Sequence, residues 1–284
     1  MERLQKALDR AREERNQETS ETDEADSSNV EQPSKEEDVI TAPSGDENDP
    51  ERIVYSKTRT VQVSKQQLAE NRIIAGIPTH PQADVFRVLR TKTLQRMRKL
   101  GFNSLAITSP TKGGGKSVVA ANLAIAMALE INQTVLLVDL DLRRPSIEGL
   151  FGFKAESGLA DYLMDKAQIP DLLVHPGVER LVLLPAGHAQ QHSSELLSSP
   201  RMKHLVDDIV GRYQSRIIIF DLPPLLHMDD ALQFLPQVQA SLLLVEDNIN
   251  TPAEIKQCQL LLEGANLLGT IYNKARNKVE QQPY

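Results

Sequence analysis

The sequence predicts an α/β fold of the P-loop NTPase class, a mostly parallel sheet with helices on both faces, and three observations predict it. Short apolar runs recur along the chain, at Leu105-Ala106-Ile107, 135–138, Leu181–Leu184, 217–220, 242–245 and 268–272. Runs this short and this uninterrupted suit strands buried on both faces. Helical stretches separate them, including a basic one at Ala83–Leu100 and an apolar one at 118–129, and such alternation builds parallel sheets. A glycine-rich stretch also joins the first run to the apolar helix, the context a phosphate-binding loop requires.

The body follows an unlike leader. Residues 1–16 are rich in helix formers, with Leu4, Ala7, Leu8 and Ala11 along one face, a short amphipathic helix too thinly apolar to be stable alone. Residues 17–52 are dominated by acidic residues, Ser, Thr, Pro and Gly. That composition predicts a disordered acidic linker, because it buries too little surface to offset ordering entropy. Residues 53–80 are expected to lie extended on the folded domain, which occupies 81–284. The net charge of −7 belongs to the leader: residues 1–52 hold 7 basic and 17 acidic side chains, leaving 25 basic and 22 acidic beyond them. That balance gives no basic field for nucleic acid. The one cysteine, Cys258, excludes an internal disulfide framework. No apolar run reaches the ~18–20 residues of a spanning helix, and the N-terminus lacks the apolar core of a secretory signal. A cytoplasmic protein is expected, meeting a membrane only through a partner.

Three stretches carry chemistry. In Thr108-Ser109-Pro110-Thr111-Lys112-Gly113-Gly114-Gly115-Lys116-Ser117, glycines let backbone N–H groups curl around an anion at a helix N-terminus. Lys112 to Val118 are the expected nucleotide contacts, with Lys116 charged against the β- and γ-phosphates and Ser117 a hydroxyl ligand for Mg²⁺. Asp139 and Asp141 end the second apolar run, at the sheet edge where ligands bind in open α/β folds. Two nearby carboxylates at i and i+2 call for a cation, and Mg²⁺ takes carboxylates, water and phosphate oxygens. Asp221 ends the fourth run before Leu222-Pro223-Pro224, the placement of a Walker B aspartate on Mg²⁺. His188 and His192 stand four apart in a Pro- and Gly-containing loop with no third ligand, which argues for a surface loop rather than zinc.

These motifs resemble the bacterial tyrosine kinases of exopolysaccharide and capsule loci, the BY-kinases of CpsD/CapB type. The loop matches theirs except for Lys112 in place of a proline. Asp139-Leu140-Asp141-Leu142-Arg143-Arg144-Pro145 matches their second motif in full. Asp221, Pro223, Pro224, Asp230 and Ala231 match their third. The resemblance covers roughly residues 83–273. It implies an ATP- and Mg²⁺-dependent protein tyrosine autokinase regulating polysaccharide synthesis and export, with Lys116, Asp139, Asp141 and Asp221 as its catalytic group. Asp139 would share its role between base and metal ligand, and Asn273 would contact the adenine. It also implies self-association through Asp84, Arg87 and Arg90, which fit a Glu-x-x-Arg-x-x-Arg pattern with Asp for Glu. The implied partner is a membrane polysaccharide co-polymerase, or chain-length regulator, which would hold the kinase at the inner membrane. One departure is the tail: the family clusters tyrosines there, whereas this chain ends on the single Tyr284, the expected phosphoacceptor, with Tyr55 a second candidate. The sparse tail keeps an ATP-switched, non-kinase scaffold as an alternative. A partition-type ATPase is the third reading. Its signature lysine would fall at Thr111, one residue from Lys112.

Overall fold

The computed structural model describes residues 58–212 and 215–275. The helix expected at 1–16, the linker at 17–52, Tyr55, Tyr213 and Tyr284 therefore lie outside the described residues. In chain order the elements begin with strand β1 (Arg59–Thr60), helix α1 (Lys65–Glu70), helix α2 (Ala83–Leu100), β2 (Ser104–Thr108), α3 (Lys116–Ala128) and β3 (Thr134–Asp139). Short helices α4 (Ile147–Phe151), α5 (Leu159–Leu163) and α6 (Ile169–Leu172) precede β4 (Val174–His175) and β5 (Leu181–Leu184). Then come α7 (Ser193–Leu197), α8 (Pro200–Arg212), β6 (Arg216–Asp221), α9 (Asp230–Phe234), β7 (Ala240–Glu246), α10 (Pro252–Leu261) and β8 (Leu267–Asn273).

The eight strands form one sheet in the order β1-β4-β5-β3-β6-β2-β7-β8. Every neighbouring pair is parallel except β4 with β5. The exception comes from two short strands at one end of the sheet that the sequence does not announce. β1 and β4 are two residues each and run opposite to the rest.

The apolar runs become strands because each has a core on both faces. Leu105 and Ile107 pack into one hydrophobic cluster and Ala106 between them into the other, the alternation that a pleated strand enforces. Helix α3 is apolar all round, with ten of its thirteen residues buried, as expected of a helix enclosed by its neighbours. It opens at Lys116 rather than at 118, so both Lys116 and Ser117 sit in its first turn.

Residues 58–80, expected to lie extended on the domain, include the extended strand β1 and the short helix α1. The turn that follows α1 is fastened by a polar residue inside α3. Asn122 accepts from the backbone N–H groups of Ile74 (2.7 Å) and Ala75 (2.9 Å). Its amide donates to the carbonyls of Arg72 (2.9 Å) and Val118 (2.8 Å). No helix among the described residues is long and apolar enough to cross a membrane.

Candidate functional site

Strand register brings the chemistry together. Asp139 lies directly opposite Asp221 on neighbouring β3 and β6, and Ile107, just before the glycine-rich loop, pairs with Asp221 on the other side. The loop, both aspartates and Asp141 thus share the carboxyl edge of the central strands.

The loop conformation depends on two of its glycines. Gly113 and Gly115 have φ of +86° and +93°, and a Cβ on Gly115 would stand 2.7 Å from Asn273 Nδ2. Gly114 has room for a Cβ, with 3.6 Å to its nearest neighbour. So the run of three glycines is two conformational requirements around one permissive position. The ends of β7 and β8 tie the loop down. Asn273 Nδ2 donates to the Gly114 carbonyl at 2.7 Å and Lys274 Nζ to the Gly113 carbonyl at 2.7 Å. Lys274 also pairs with Glu246 at 2.8 Å, and Asn250 donates to Thr111 Oγ1 at 3.0 Å. Asn273, expected at the adenine, is thereby placed against the loop backbone. Asn250, Lys274 and Glu246 carry no motif in the sequence, and their proximity to the loop follows only from the β7–β8 pairing.

Lys116 Nζ sits 3.0 Å from Asp141 Oδ2, 3.3 Å from Ser117 Oγ and 3.7 Å from Asp221 Oδ1. Burial opposes its charge, but Asp221, then Asp141 and Asp139, overcome that and raise its pKa above the ordinary lysine value. The two paired strand-end aspartates are satisfied very differently. Asp139 Oδ1 accepts from the N–H of Asp141 (3.1 Å), and its Oδ2 from Ser146 (2.9 Å) and Ile147 (3.0 Å) at the start of α4. Burial and the facing Asp221 push Asp139 up to about 7, against the pull of those backbone donors and Lys116. Asp221 is fully buried; Lys116 and Ser117 are the side chains that face its oxygens, and with Lys116 Nζ 3.7 Å away neither oxygen is in a well-formed hydrogen bond. Burial raises its pKa above the usual carboxylate range, with Lys116 opposing.

A buried carboxylate whose nearest cation stands 3.7 Å away is incompletely satisfied, and such a group is retained where something else completes it. Among the described residues no group of three or more His, Cys, Asp or Glu side chains is arranged to hold a metal on its own. A Mg²⁺ at Asp221 fits this donor set, because hard oxygen ligands from Ser117 and nucleotide phosphates complete such shells. Asp139, expected to share the roles of base and metal ligand, accepts from backbone N–H groups at both oxygens and braces the Asp141–Ile147 turn.

Beside this corner opens a cleft of about 1070 Å³, lined by Lys112, Gly113, Gly115, Lys116, Ser117, Val118 and Asp141 together with Arg143, Arg144, Ser146, His227 and Met228. Arg143 is held by Ser193 Oγ (2.7 Å) and Asp230 (3.2 Å), and Ser193 also donates to Asp230. That joins the second and third sequence motifs across one wall.

The residues expected to drive self-association are only partly free. Arg87 pairs with Asp84 within α2, and both are exposed. Arg90 turns inward to Glu130 (3.2 Å) and the Ala126 carbonyl (3.2 Å).

Comparison with known proteins agrees with this geometry. Residues 104–278 match the AAA domain family. The chain is 33% identical over 198 residues to the tyrosine-protein kinase etk of Escherichia coli K12, covering 69% of this chain but only 27% of that kinase's length. Among solved structures, the kinase domain of the Escherichia coli tyrosine kinase ETK is 32% identical with a TM-score of 0.66, the match covering 73% of this chain and 81% of that one. The chimerical protein CapA2B2 is 30% identical with a TM-score of 0.67, covering 73% and 91%.

Proposed function

The chain belongs to the bacterial tyrosine-protein kinases built on a P-loop AAA-type domain, and from that premise we propose that it is an ATP-dependent tyrosine autokinase. Its role would be to regulate exopolysaccharide or capsule synthesis and export. The observation that carries the reading is Asp221: a buried carboxylate in no well-formed hydrogen bond, level with Asp139 and 3.7 Å from the loop lysine. It asks for a cation at the point where the phosphates of a nucleotide on the 109–117 loop would end.

Bound Mg²⁺ would neutralise phosphate charge as it develops on the transferring group. Ser117 and Asp221 are the residues we assign to it, with Asp141 at its edge. Lys116, held charged by its three carboxylates, orients the phosphates. Gly113 and Gly115 present backbone N–H groups, and Asn273 and Lys274 keep that backbone in place. We assign the proton of an incoming tyrosine to Asp141, which lines the cleft, with Asp139 fixing the turn that carries it. A carboxylate there matters because the phenol has a pKa near ~10. Tyr284 is the tail acceptor, and a membrane co-polymerase whose cytoplasmic end meets the kinase is the proposed partner. Assembly through Asp84 and Arg87 is proposed with it.

The test is phosphotyrosine mapping by mass spectrometry on the purified full chain with MgATP, beside Lys116→Met. Phosphotyrosine that disappears in Lys116→Met supports the kinase. Tight MgATP binding without phosphotyrosine, even on an added tyrosine polymer and with a co-polymerase segment present, would replace it with an ATP-switched scaffold.

A further inference from the structure

We propose that the substrate of this cleft is a tyrosine flanked by acidic residues, on a peptide segment presented by another protein; the inference rests on the kinase reading of the cleft. The first support is the charge of the lining. Besides Lys116 it carries Lys112, Arg143 and Arg144, and Asp141 is its one carboxylate. Lys116 already faces Asp141 and Asp221. Lys112 and Arg144 are exposed, and neither uses its side chain in an ion pair or hydrogen bond among the described residues. A cleft walled by uncommitted charge of one sign raises the local concentration of ligands of the other.

Position supplies the second support. The backbone N–H of Arg144 donates to Asp141 Oδ1 at 3.1 Å, so one turn carries both the carboxylate assigned to the tyrosine proton and an uncommitted cation. Neighbouring residues of an extended peptide rise only ~3.4 Å apart. A phenol at Asp141 therefore brings the residues beside it within reach of the Arg144 side chain. Arg143 adds a prepared fork. Its hydrogen bonds all leave through Nε, to Ser193 Oγ (2.7 Å) and Asp230, whose side chains are buried. The Arg143 side chain nevertheless keeps 38% exposure, which leaves the two Nη groups at the cleft wall. An anchored guanidinium of this kind suits a carboxylate through paired hydrogen bonds. Neutral flanks forgo these contacts and lysine flanks oppose them.

The described tyrosines do not occupy this position. Tyr162 is buried beneath the Arg201 guanidinium, the Tyr272 hydroxyl is bonded to Asp247, and neither lines the cleft. In the transfer, the phenolic oxygen of the substrate bonds to the γ-phosphorus of ATP as the bond to the β–γ bridging oxygen breaks. ADP leaves with that oxygen, and the phenolic proton passes to Asp141.

The experiment gives the full chain MgATP and three synthetic peptides that differ only in the residues around one tyrosine: glutamates, glutamines or lysines. Peptide kcat/KM, the KM for ATP and phosphotyrosine on the chain itself are followed together, in wild type, Arg144→Gln, Arg144→Lys and the Lys112→Gln/Arg144→Gln double variant. We expect kcat/KM for the glutamate peptide to exceed that for the glutamine peptide about tenfold at low salt, with the lysine peptide poorest. The preference should shrink as salt screens it. Arg144→Lys should keep most of the preference, and the double variant no more than about threefold. Equal kcat/KM for the glutamate and glutamine peptides would overturn the inference, as would a full preference in the double variant. A raised KM for ATP in Arg144→Gln with the preference intact would also overturn it, by assigning the rim to the nucleotide. Phosphotyrosine on the chain with none on any peptide would overturn it and leave the kinase standing. Phosphotyrosine on neither would overturn both.

Discussion

Two buried polar side chains a short distance apart in the fold are treated in opposite ways. Asn122, inside helix α3, uses its carbonyl twice and its amide twice, all at 2.7–2.9 Å. Asp221, at the end of β6, is buried as deeply and is in no well-formed hydrogen bond. The first is a finished contact: it holds the 72–75 turn against α3, and nothing further is asked of it. The second has Lys116, 3.7 Å away, as its nearest cation and room in its bonding for another, which is how binding sites differ from finished polar networks. The contrast separates what folds the domain from what the domain is for, and it can be tested residue by residue.

The largest expected effect is on catalysis at the unfinished site. Asp221→Asn keeps the shape of the side chain and removes its charge. We expect autophosphorylation to fall by about a thousandfold or more, roughly 4 kcal/mol of lost transition-state stabilisation. A single-turnover assay with labelled ATP reads this directly. Activity within tenfold of wild type would mean that Asp221 does not organise the reacting charges.

At the finished site the sign is reversed. Asn122→Ala leaves two buried N–H groups and the Arg72 carbonyl without partners, and we expect about 3 kcal/mol of stability to be lost by urea unfolding. Affinity for MgATP, measured on the folded fraction, should stay within about twofold. A weakened ATP affinity with unchanged stability would make Asn122 part of the site and erase the contrast.

How much of this was readable in the sequence divides along the same line. The central strands announce themselves because burial on both faces forces uninterrupted apolar runs. The loop, Asp141 and Asp221 are legible because each follows such a run and so must reach the carboxyl edge. The two-residue strands are not legible: Arg59-Thr60 is exposed and polar, and its place in the sheet comes from pairing with Val174-His175 far along the chain. Asn122 reads only as a polar break in an apolar helix, since its partners lie nearly fifty residues earlier. Alternation suggests that Asp139 and Asp141 point the same way. What alternation does not show is that the chain turns after β3 and returns the N–H groups of Ser146 and Ile147 to Asp139. Asn273 is found by position, but its bond to the Gly114 carbonyl is not legible, because only the β7–β8 pairing sets it there.

The glycine loop gives a smaller and internal version of the comparison. Gly115→Ala meets Asn273 and keeps a positive φ, so about 2 kcal/mol of stability should be lost. Gly114→Ala has open space and should change stability by less than about 0.5 kcal/mol in the nucleotide-free protein. Thermal denaturation of the two variants side by side checks this. Equal losses would show that the loop is not held in the conformation that Asn273 and Lys274 fasten.

The smallest effect is a pH dependence that belongs to the unfinished site alone. Burial raises Asp221 above the ordinary carboxylate value, and burial with the facing Asp221 brings Asp139 to about 7. Between the unfolded value near ~4 and about 7 the folded protein holds more protons than the unfolded chain, so unfolding free energy falls as pH rises through that window. Other groups, the buried His175 among them, titrate with the opposite sign in part of it, so wild type is best read against Asp221→Asn. The two should differ least at pH 5, below the value of about 7 to which Asp139 is raised. By pH 8 the variant should be the more stable by about 1 kcal/mol without nucleotide, because it no longer holds two facing carboxylates. Saturating MgATP should reverse that order, since only wild type gains the cation that completes Asp221. A variant no more stable than wild type at pH 8 would mean that Lys116 alone already neutralises the corner, and that Asp221 is as finished a contact as Asn122.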